Sequence, residues 1–227
     1  MSSLKHLPVR RHVGSLAMAL TLTVFTCVSF NAARAQNIIQ NPGFELDKTG
    51  WGIFVPEESQ AKNCQFVLSS KNTHSGSNGA EISSDDFARY SLTANTSIPV
   101  KSGERYRVTA WVKAGPGAEV KEGTPGCVLR LVLRNGNSDT PGGGAIFIGL
   151  NGKVTVRPNE NMDPLNTPVP KDWTKVEAVV EIPVITGGVD NMGLGVFGWY
   201  TKGTIYVDDV SVEKVSEATF LSPVSVK

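Results

Sequence analysis

Short runs of alternating apolar and polar residues, separated by turn-forming residues, constrain the fold of this chain more than any other feature of its sequence. The clearest run is YRVTAWVKA at Tyr106 to Ala114, and about ten such runs follow one another between residues 37 and 215. Glycine, proline and asparagine lie between them, as in the hairpin signal Asn151-Gly152. No stretch shows sustained helical periodicity. The pattern therefore predicts an all-β sandwich of two antiparallel sheets.

The first 35 residues have the features of an export signal. A basic start at residues 5–11 precedes an uncharged apolar run over residues 13–30, and an A-x-A cleavage site ends at Ala35. We therefore predict a signal peptide over residues 1–35, a secreted or periplasmic mature protein, and no membrane span. The β-sandwich is expected to occupy residues 36–215, followed by a loose tail over residues 216–227.

Charge and motif content argue against several classes of function. The chain has 22 basic and 21 acidic residues without a basic run, which argues against nucleic-acid binding. His74 is the only histidine after the leader, and neither G-x-S-x-G nor H-E-x-x-H occurs. The adjacent acid pairs Glu57-Glu58 and Asp85-Asp86 have the pattern of solvated loop residues, although a glycosidase needs two carboxylates on one cleft. The sequence thus favours a non-catalytic protein.

Two cysteines remain after removal of the leader. Cys27 leaves with the signal peptide, so Cys64 and Cys127 are the thiols of the mature chain. In an oxidising compartment they are predicted to form a disulfide, which would stabilise the fold by roughly 4 kcal/mol on the chain-entropy model. The alternative is a pair of separate buried thiols.

Both ends of the mature chain carry conspicuous segments. NIIQNPGFELDKTGW occupies Asn37 to Trp51, and TIYVDDVSVEKV occupies Thr204 to Val215. We predict that these segments lie side by side as neighbouring β-segments. Glu45 and Asp208 would then approach each other, either as ligands of a shared cation or as ordinary hydrogen-bonded acids. Asp208 alternates with Tyr206 and Val210, so a regular strand would place it on their face.

The order of these segments resembles the carbohydrate-binding modules of families four, nine and twenty-two, which include cellulose- and xylan-binding domains. The resemblance rests on five pieces: NPGFE (41–45) with a following tryptophan, HSGSN (74–78), GERYRVTAWVKA (103–114), DWTKVEAVVEIP (172–183) and IYVDDVSV (205–212). It implies a jelly-roll β-sandwich of the galactose-binding-domain type, a structural calcium ion, and a cleft for polysaccharide or oligosaccharide on the concave sheet.

The resemblance favours calcium as the shared ion. Its expected ligands are Glu45, Asp208 and the turn at Ser75, because calcium takes six to eight oxygen ligands from carboxylates and carbonyl groups. The ion would have a structural role, holding the first segment against the last.

A sugar cleft requires aromatic faces and planar polar side chains. The residues predicted to form it are Arg89, Tyr90, Trp111, Arg130, Arg134 and Trp199. Core packing is the alternative for each aromatic residue, and solvated charge is the alternative for each arginine. Several arginines would suit an acidic or sulfated polysaccharide.

The sequence therefore predicts a secreted, calcium-stabilised, non-catalytic module that binds polysaccharide. Two alternatives remain: a structural or adhesion module at the cell surface, and a small glycoside hydrolase or polysaccharide lyase on a jelly-roll.

Overall fold

The computed structural model describes residues 36–140, 144–157 and 168–215. The predicted signal peptide and tail lie outside these residues. A short 3₁₀ helix spans Glu57–Lys62. The strands in chain order are β1 (Trp51–Phe54), β2 (Gln65–Ser69), β3 (Gly79–Ala94), β4 (Ile98–Pro99), β5 (Arg105–Ala114), β6 (Glu119–Val120), β7 (Gly126–Asn135), β8 (Ser138–Asp139), β9 (Ala145–Gly149), β10 (Val154–Arg157), β11 (Thr174–Glu181) and β12 (Asn191–Lys214). In the part of the chain that the structure describes, no helix is long and apolar enough to cross a membrane.

Two long strands, β3 and β12, run through both layers of the sandwich. The first half of β12 pairs with β7 and with residues 88–93 of β3. Its second half pairs with β5 and with residues 80–84 of β3. Layer one therefore has the order β1-β3-β12-β7-β9-β10, and layer two has the order β2-β3-β12-β5-β11. All of these pairs are antiparallel, and the predicted jelly-roll β-sandwich is confirmed.

The core lies between the layers and is built from alternate residues of their strands. Leu129 and Ile146 of layer one and Val108, Val112 and Val207 of layer two are fully buried in one apolar cluster. The intervening residues of each strand point away from this core. Burying each of the core side chains contributes about 2 kcal/mol, so the alternating pattern determines which face of every strand is turned outward.

The bend in β12 is fixed by buried polar contacts. The strand register shifts between Trp199 and Gly203, and Tyr200 has a positive φ of 57° there. Thr201 is fully buried, and its hydroxyl donates to the Tyr90 hydroxyl at 3.0 Å. Its carbonyl accepts from the Ser84 hydroxyl at 3.0 Å. These bonds satisfy polar groups that an irregular backbone would otherwise leave unpaired in the core.

The predicted meeting of the two chain ends is confirmed. The Asn37 side chain accepts from the Val212 amide at 3.0 Å and donates to the Val210 carbonyl at 3.1 Å. The Ile38 amide donates to the Val212 carbonyl at 2.9 Å. The first segment forms bends and turns rather than a strand. The Asn37 side-chain amide thus forms hydrogen bonds that the backbone of a neighbouring strand would otherwise form with the edge of β12.

The predicted Cys64–Cys127 disulfide is not formed. Both residues are free thiols, with Cys64 partly buried and Cys127 fully buried. Cys64 comes just before β2 of layer two, whereas Cys127 lies on β7 of layer one, opposite Gly198. Burial raises the pKa of Cys127 to about 12, so its reactive thiolate form is suppressed. The two cysteines therefore pack as apolar side chains and form no covalent crosslink.

Candidate functional site

The outer face of layer one, which points away from the core, collects arginine and aromatic side chains. Pairing registers place Arg89 opposite Trp199, and Arg130 opposite both Gly195 and Phe147. Residues aligned in this way share one face of the sheet. The outward positions of β3, β12, β7, β9 and β10 on this face include Arg89, Phe197, Trp199, Arg130, Arg134, Phe147 and Arg157.

Three aromatic rings form the floor of this face. Trp199 packs against Phe197 with ring centroids 5.4 Å apart and against Phe147 at 5.9 Å. Phe147 and Phe197 are each only 2% exposed, whereas Trp199 is partly exposed. These residues form an apolar cluster with Val128 and Ala145 that is separate from the core of the sandwich. We refer to Phe147, Phe197 and Trp199 as the aromatic floor.

Two guanidinium groups lie over the aromatic floor. Arg130 Cζ is 5.5 Å from the Phe197 ring centroid and 5.7 Å from that of Phe147. Arg89 Cζ is 5.2 Å from the Trp199 centroid and 5.9 Å from that of Phe197. Cation–π attraction holds a guanidinium group against a ring and restricts its motion. The surface offered to a ligand therefore consists mainly of guanidinium groups, with part of Trp199 beside them.

In the described part of the chain, this face carries more arginine side chains than carboxylates that pair with them. Arg89 Nη1 donates to Glu58 Oε1 at 3.0 Å, and Arg134 Nε donates to Asp139 Oδ1 at 3.3 Å. Arg130 forms no ion pair with a described residue. Burial lowers the pKa of Arg130, and the nearby charges of Arg89, Arg134 and Arg157 add to this effect while Asp139 opposes it. The other three arginines are thus close enough to Arg130 to act on its charge.

Glycines on β12 make room for these polar side chains. A Cβ atom on Gly193 would lie 3.1 Å from Arg134 Nη1, and one on Gly195 would overlap the Ser91 hydroxyl. Because glycine has no side chain, the Arg134 guanidinium group and the Ser91 hydroxyl can lie close to the backbone of β12. Glycine at both positions therefore leaves the space that Arg134 and Ser91 occupy on this face.

The structure separates the six residues predicted to form the cleft. Arg89, Arg130, Arg134 and Trp199 lie together on the outer face of layer one. Tyr90 does not belong to this site, because it is fully buried between the layers. Trp111 is also elsewhere, because it lies on the outer face of layer two. The prediction omitted Phe147, Phe197 and Arg157.

Trp111 belongs to a second aromatic group beside the meeting point of the chain ends. The His74 ring stacks on Trp111 with centroids 3.7 Å apart and an interplanar angle of 15°. Trp173 approaches the same histidine edge-on at 5.9 Å. His74 Nδ1 lies 2.6 Å from Asp209 Oδ2. These contacts hold the 74–78 turn over Asp208 and Asp209.

Three carboxylates surround Gly43 at this place. A Cβ atom on Gly43 would lie 3.5 Å from Asp209 Oδ1, 3.7 Å from Asp208 Oδ1 and 4.0 Å from Glu45 Cγ. Glu45 Oε1 accepts from the amides of Ser77 and Asn78 at 2.9 and 3.0 Å. The predicted proximity of Glu45 and Asp208 therefore holds, with both carboxylates turned toward the 74–78 turn.

Asp208 is fully buried and accepts three backbone hydrogen bonds. Its Oδ2 accepts from the amides of His74 at 2.8 Å and Ser75 at 3.2 Å, and its Oδ1 accepts from the Asp209 amide at 2.8 Å. Burial raises the pKa of Asp208, the three backbone hydrogen bonds lower it, and the Asp209 charge raises it. The net shift is upward, so the ionised form carries a desolvation cost.

Asp208 shares the face of Tyr206, as regular alternation predicts, but not the face of Val210. Asp208 pairs with Trp111 on the outer face of layer two, whereas Val210 and Val212 point into the core. A register shift lies between Asp208 and Ser211, and Asp209 has a positive φ of 46°. This β-bulge reverses the alternation and turns both carboxylates away from the core.

With this geometry, the chain is a jelly-roll β-sandwich with an arginine-rich, aromatic-floored outer face. No protein-family model matches it, and no curated protein matches it.

Among solved structures, the chain is similar to the enzymatically active domain of tailspike protein 4 of bacteriophage CBA120. The identity is 12% over 79% of this chain, with a TM-score of 0.50, and the match covers only 21% of the tailspike chain. It is also similar to a family 61 carbohydrate-binding module solved with β-1,4-galactotriose, at 14% identity over 80% of this chain and 100% of that chain, with a TM-score of 0.42. The family 22 carbohydrate-binding and catalytic modules of Clostridium thermocellum xylanase 10B match at 13% identity over 80% of this chain and 29% of that chain, with a TM-score of 0.49.

Proposed function

We propose that this protein is an exported, non-catalytic module that binds polysaccharide on the outer face of layer one. The observation that carries the proposal is the aromatic floor, overlaid by Arg89 and Arg130, with Arg134 lying close to Gly193 beside it. Planar guanidinium groups donate to sugar hydroxyl and acid oxygens in a fixed geometry, and the partly exposed Trp199 offers apolar surface to sugar C–H groups. A broad sheet face also suits a long chain ligand.

The acids near this face support a binding role over catalysis. Glu58 pairs with Arg89, and Asp86 pairs with Lys62. Asp85 accepts from the Asn63 side chain at 3.2 Å. Hydrogen bonding to Lys62 lowers the pKa of Asp86, whereas general-acid catalysis at a glycosidic bond requires a raised one.

We expect affinity electrophoresis through gels containing a panel of neutral and acidic polysaccharides to retard the mature chain without forming product. Trp199→Ala removes the exposed part of the aromatic floor and should weaken retardation at least about tenfold. Trp173→Ala, on layer two, is the matched control and should bind like the wild type. Reducing-end or unsaturated products would instead assign a hydrolase or lyase, and absence of retardation by every glycan would favour an adhesion module.

The proposal includes a structural calcium ion held by Glu45, Asp208 and the turn at Ser75. Among the described residues, no lysine or arginine pairs with Glu45, Asp208 or Asp209. The carboxylates of Glu45 and Asp208 supply negative charge and hard oxygen atoms, the ligand chemistry that a divalent cation such as calcium takes. The same part of the chain holds no group of three or more His, Cys, Asp or Glu side chains arranged for a metal. Main-chain carbonyl oxygens would therefore have to complete the coordination.

Calcium is expected to raise the thermal midpoint of the mature chain by about 5 °C or more over that in chelator, because an ion that binds only the folded state stabilises it. Glu45→Gln should abolish most of this shift. Glu57→Gln, an exposed acid in the 3₁₀ helix, should leave it intact. Equal midpoints in calcium and in chelator would remove the ion from the proposal.

A further inference from the structure

We infer that the polysaccharide recognised by layer one is anionic, with carboxylate or sulfate groups bound by Arg89, Arg130, Arg134 and Arg157. This inference rests on the proposed function and names the chemical class of its ligand. Four guanidinium groups share one sheet face, and the described residues pair them with only two carboxylates, those of Glu58 and Asp139.

The aromatic floor itself favours a charged ligand. In a site for neutral sugars, an exposed ring face packs against the sugar ring. Here guanidinium groups occupy the faces of Phe147 and Phe197, which are only 2% exposed. Only Trp199 of the floor is partly open to solvent. A ligand on this surface therefore meets cationic groups before it meets a ring.

Two guanidinium donors are left without acceptors. The Nε atoms of Arg89 and Arg130 are buried and make no hydrogen bond to any described residue. A buried donor without an acceptor loses the hydrogen bond that it would form with water, and the loss is greater when the donor is charged. A small rotation of either side chain would let an oxyanion accept from it and from the terminal nitrogens, in the bidentate arrangement that arginine forms with carboxylate and sulfate.

The positions of the arginines suit a repeating anionic chain. Arg89 lies on β3, Arg130 and Arg134 lie on β7, and Arg157 lies on β10, so the guanidinium groups extend across the strands of layer one. Neighbouring strands are about 4.8 Å apart. A polymer with one charge per residue or per disaccharide can contact several of them at once, which raises its avidity over that of a single sugar acid.

The test compares charged and uncharged forms of the same polymer. Polygalacturonate is paired with its fully methyl-esterified form, and a sulfated galactan is paired with its desulfated form, at low and high sodium chloride. We expect at least one charged polymer to be retarded tenfold or more strongly than its neutral partner, and we expect salt to weaken this binding. Equal or stronger binding of the neutral form in both pairs overturns the inference while leaving polysaccharide binding intact. No retardation by any polymer overturns both.

Variants locate the charge recognition on layer one. Arg130→Ala and Arg134→Ala should each weaken retardation by the charged polymer at least tenfold and change neutral binding much less. Arg107→Ala is the matched control, because Arg107 lies on layer two and its side chain is 38% exposed, against 37% for Arg134. Circular dichroism and a melting curve confirm that each variant is folded. An equal loss in the Arg107 variant would make the attraction unspecific and contradict the assigned site.

Discussion

Replacing Asp208 with alanine is expected to lower the free energy of unfolding by roughly 3 kcal/mol, because three backbone amides lose their buried acceptor. The amides are those of His74, Ser75 and Asp209. The 74–78 turn thereby loses two of its hydrogen bonds to β12, those of the His74 and Ser75 amides, and keeps those to the Asp209 side chain. Urea denaturation followed by tryptophan fluorescence measures the effect, because Trp111 lies directly beneath this turn.

The control for this prediction is Asp86→Ala. Asp86 is an exposed aspartate that also takes part in an ion pair, with Lys62, but it supports no buried backbone group. Its replacement should leave the urea midpoint unchanged within error. Equal midpoints for the Asp208 variant and the wild type would mean that Asp208 does not hold the 74–78 turn.

Gly203→Ala is expected to be at least as damaging, with a loss of about 3 kcal/mol or more. Gly203 has a φ of 73°, and a Cβ atom there would overlap the backbone carbonyl group of Gly117. Backbone atoms cannot yield as a flexible side chain can. The substitution would push apart the bend of β12 and the loop around residue 117.

Gly123→Ala separates the two causes. Gly123 has nearly the same φ, 72°, but a Cβ atom there would meet no other atom within 4 Å. Its replacement should cost only about 1 kcal/mol, the penalty of the left-handed conformation alone. Similar losses for both variants in urea denaturation would show that backbone strain, rather than overlap with Gly117, limits residue 203.

Much of the fold was predictable because strand alternation and turn residues are local signals. The strand at Arg105–Ala114 matches the predicted run at Tyr106 to Ala114 almost residue for residue. The two long strands were each predicted as two shorter ones. Ser84 to Asp86 in β3 and Thr201 to Gly203 in β12 fall between the predicted runs, yet in the structure they lie within continuous strands. Only pairing with neighbouring strands reveals this continuity.

The site was harder to predict, because it depends on which face each strand turns outward. Period-two alternation correctly placed Arg130 and Arg134 away from the core. It could not locate Phe147, because AIFIGL is apolar at every position and offers no alternation. The bulge at Asp209 also separated Asp208 from the face of Val210, with which strict alternation had grouped it. Trp111 lies on layer two, whereas the arginines lie on layer one, because its strand pairs with the second half of β12. Spacing along the sequence does not show which layer a strand joins.

The continuity of β12 also has a consequence for how the molecule comes apart. One end of this strand contributes Phe197 and Trp199 to the outer face of layer one, and the other end contributes Asp208 to layer two. Because β12 is shared, neither sheet can separate without removing a central strand from the other. Hydrogen exchange should therefore report a single cooperative opening of both sheets. A ligand bound at either end of β12 should slow the exchange of amides throughout both sheets.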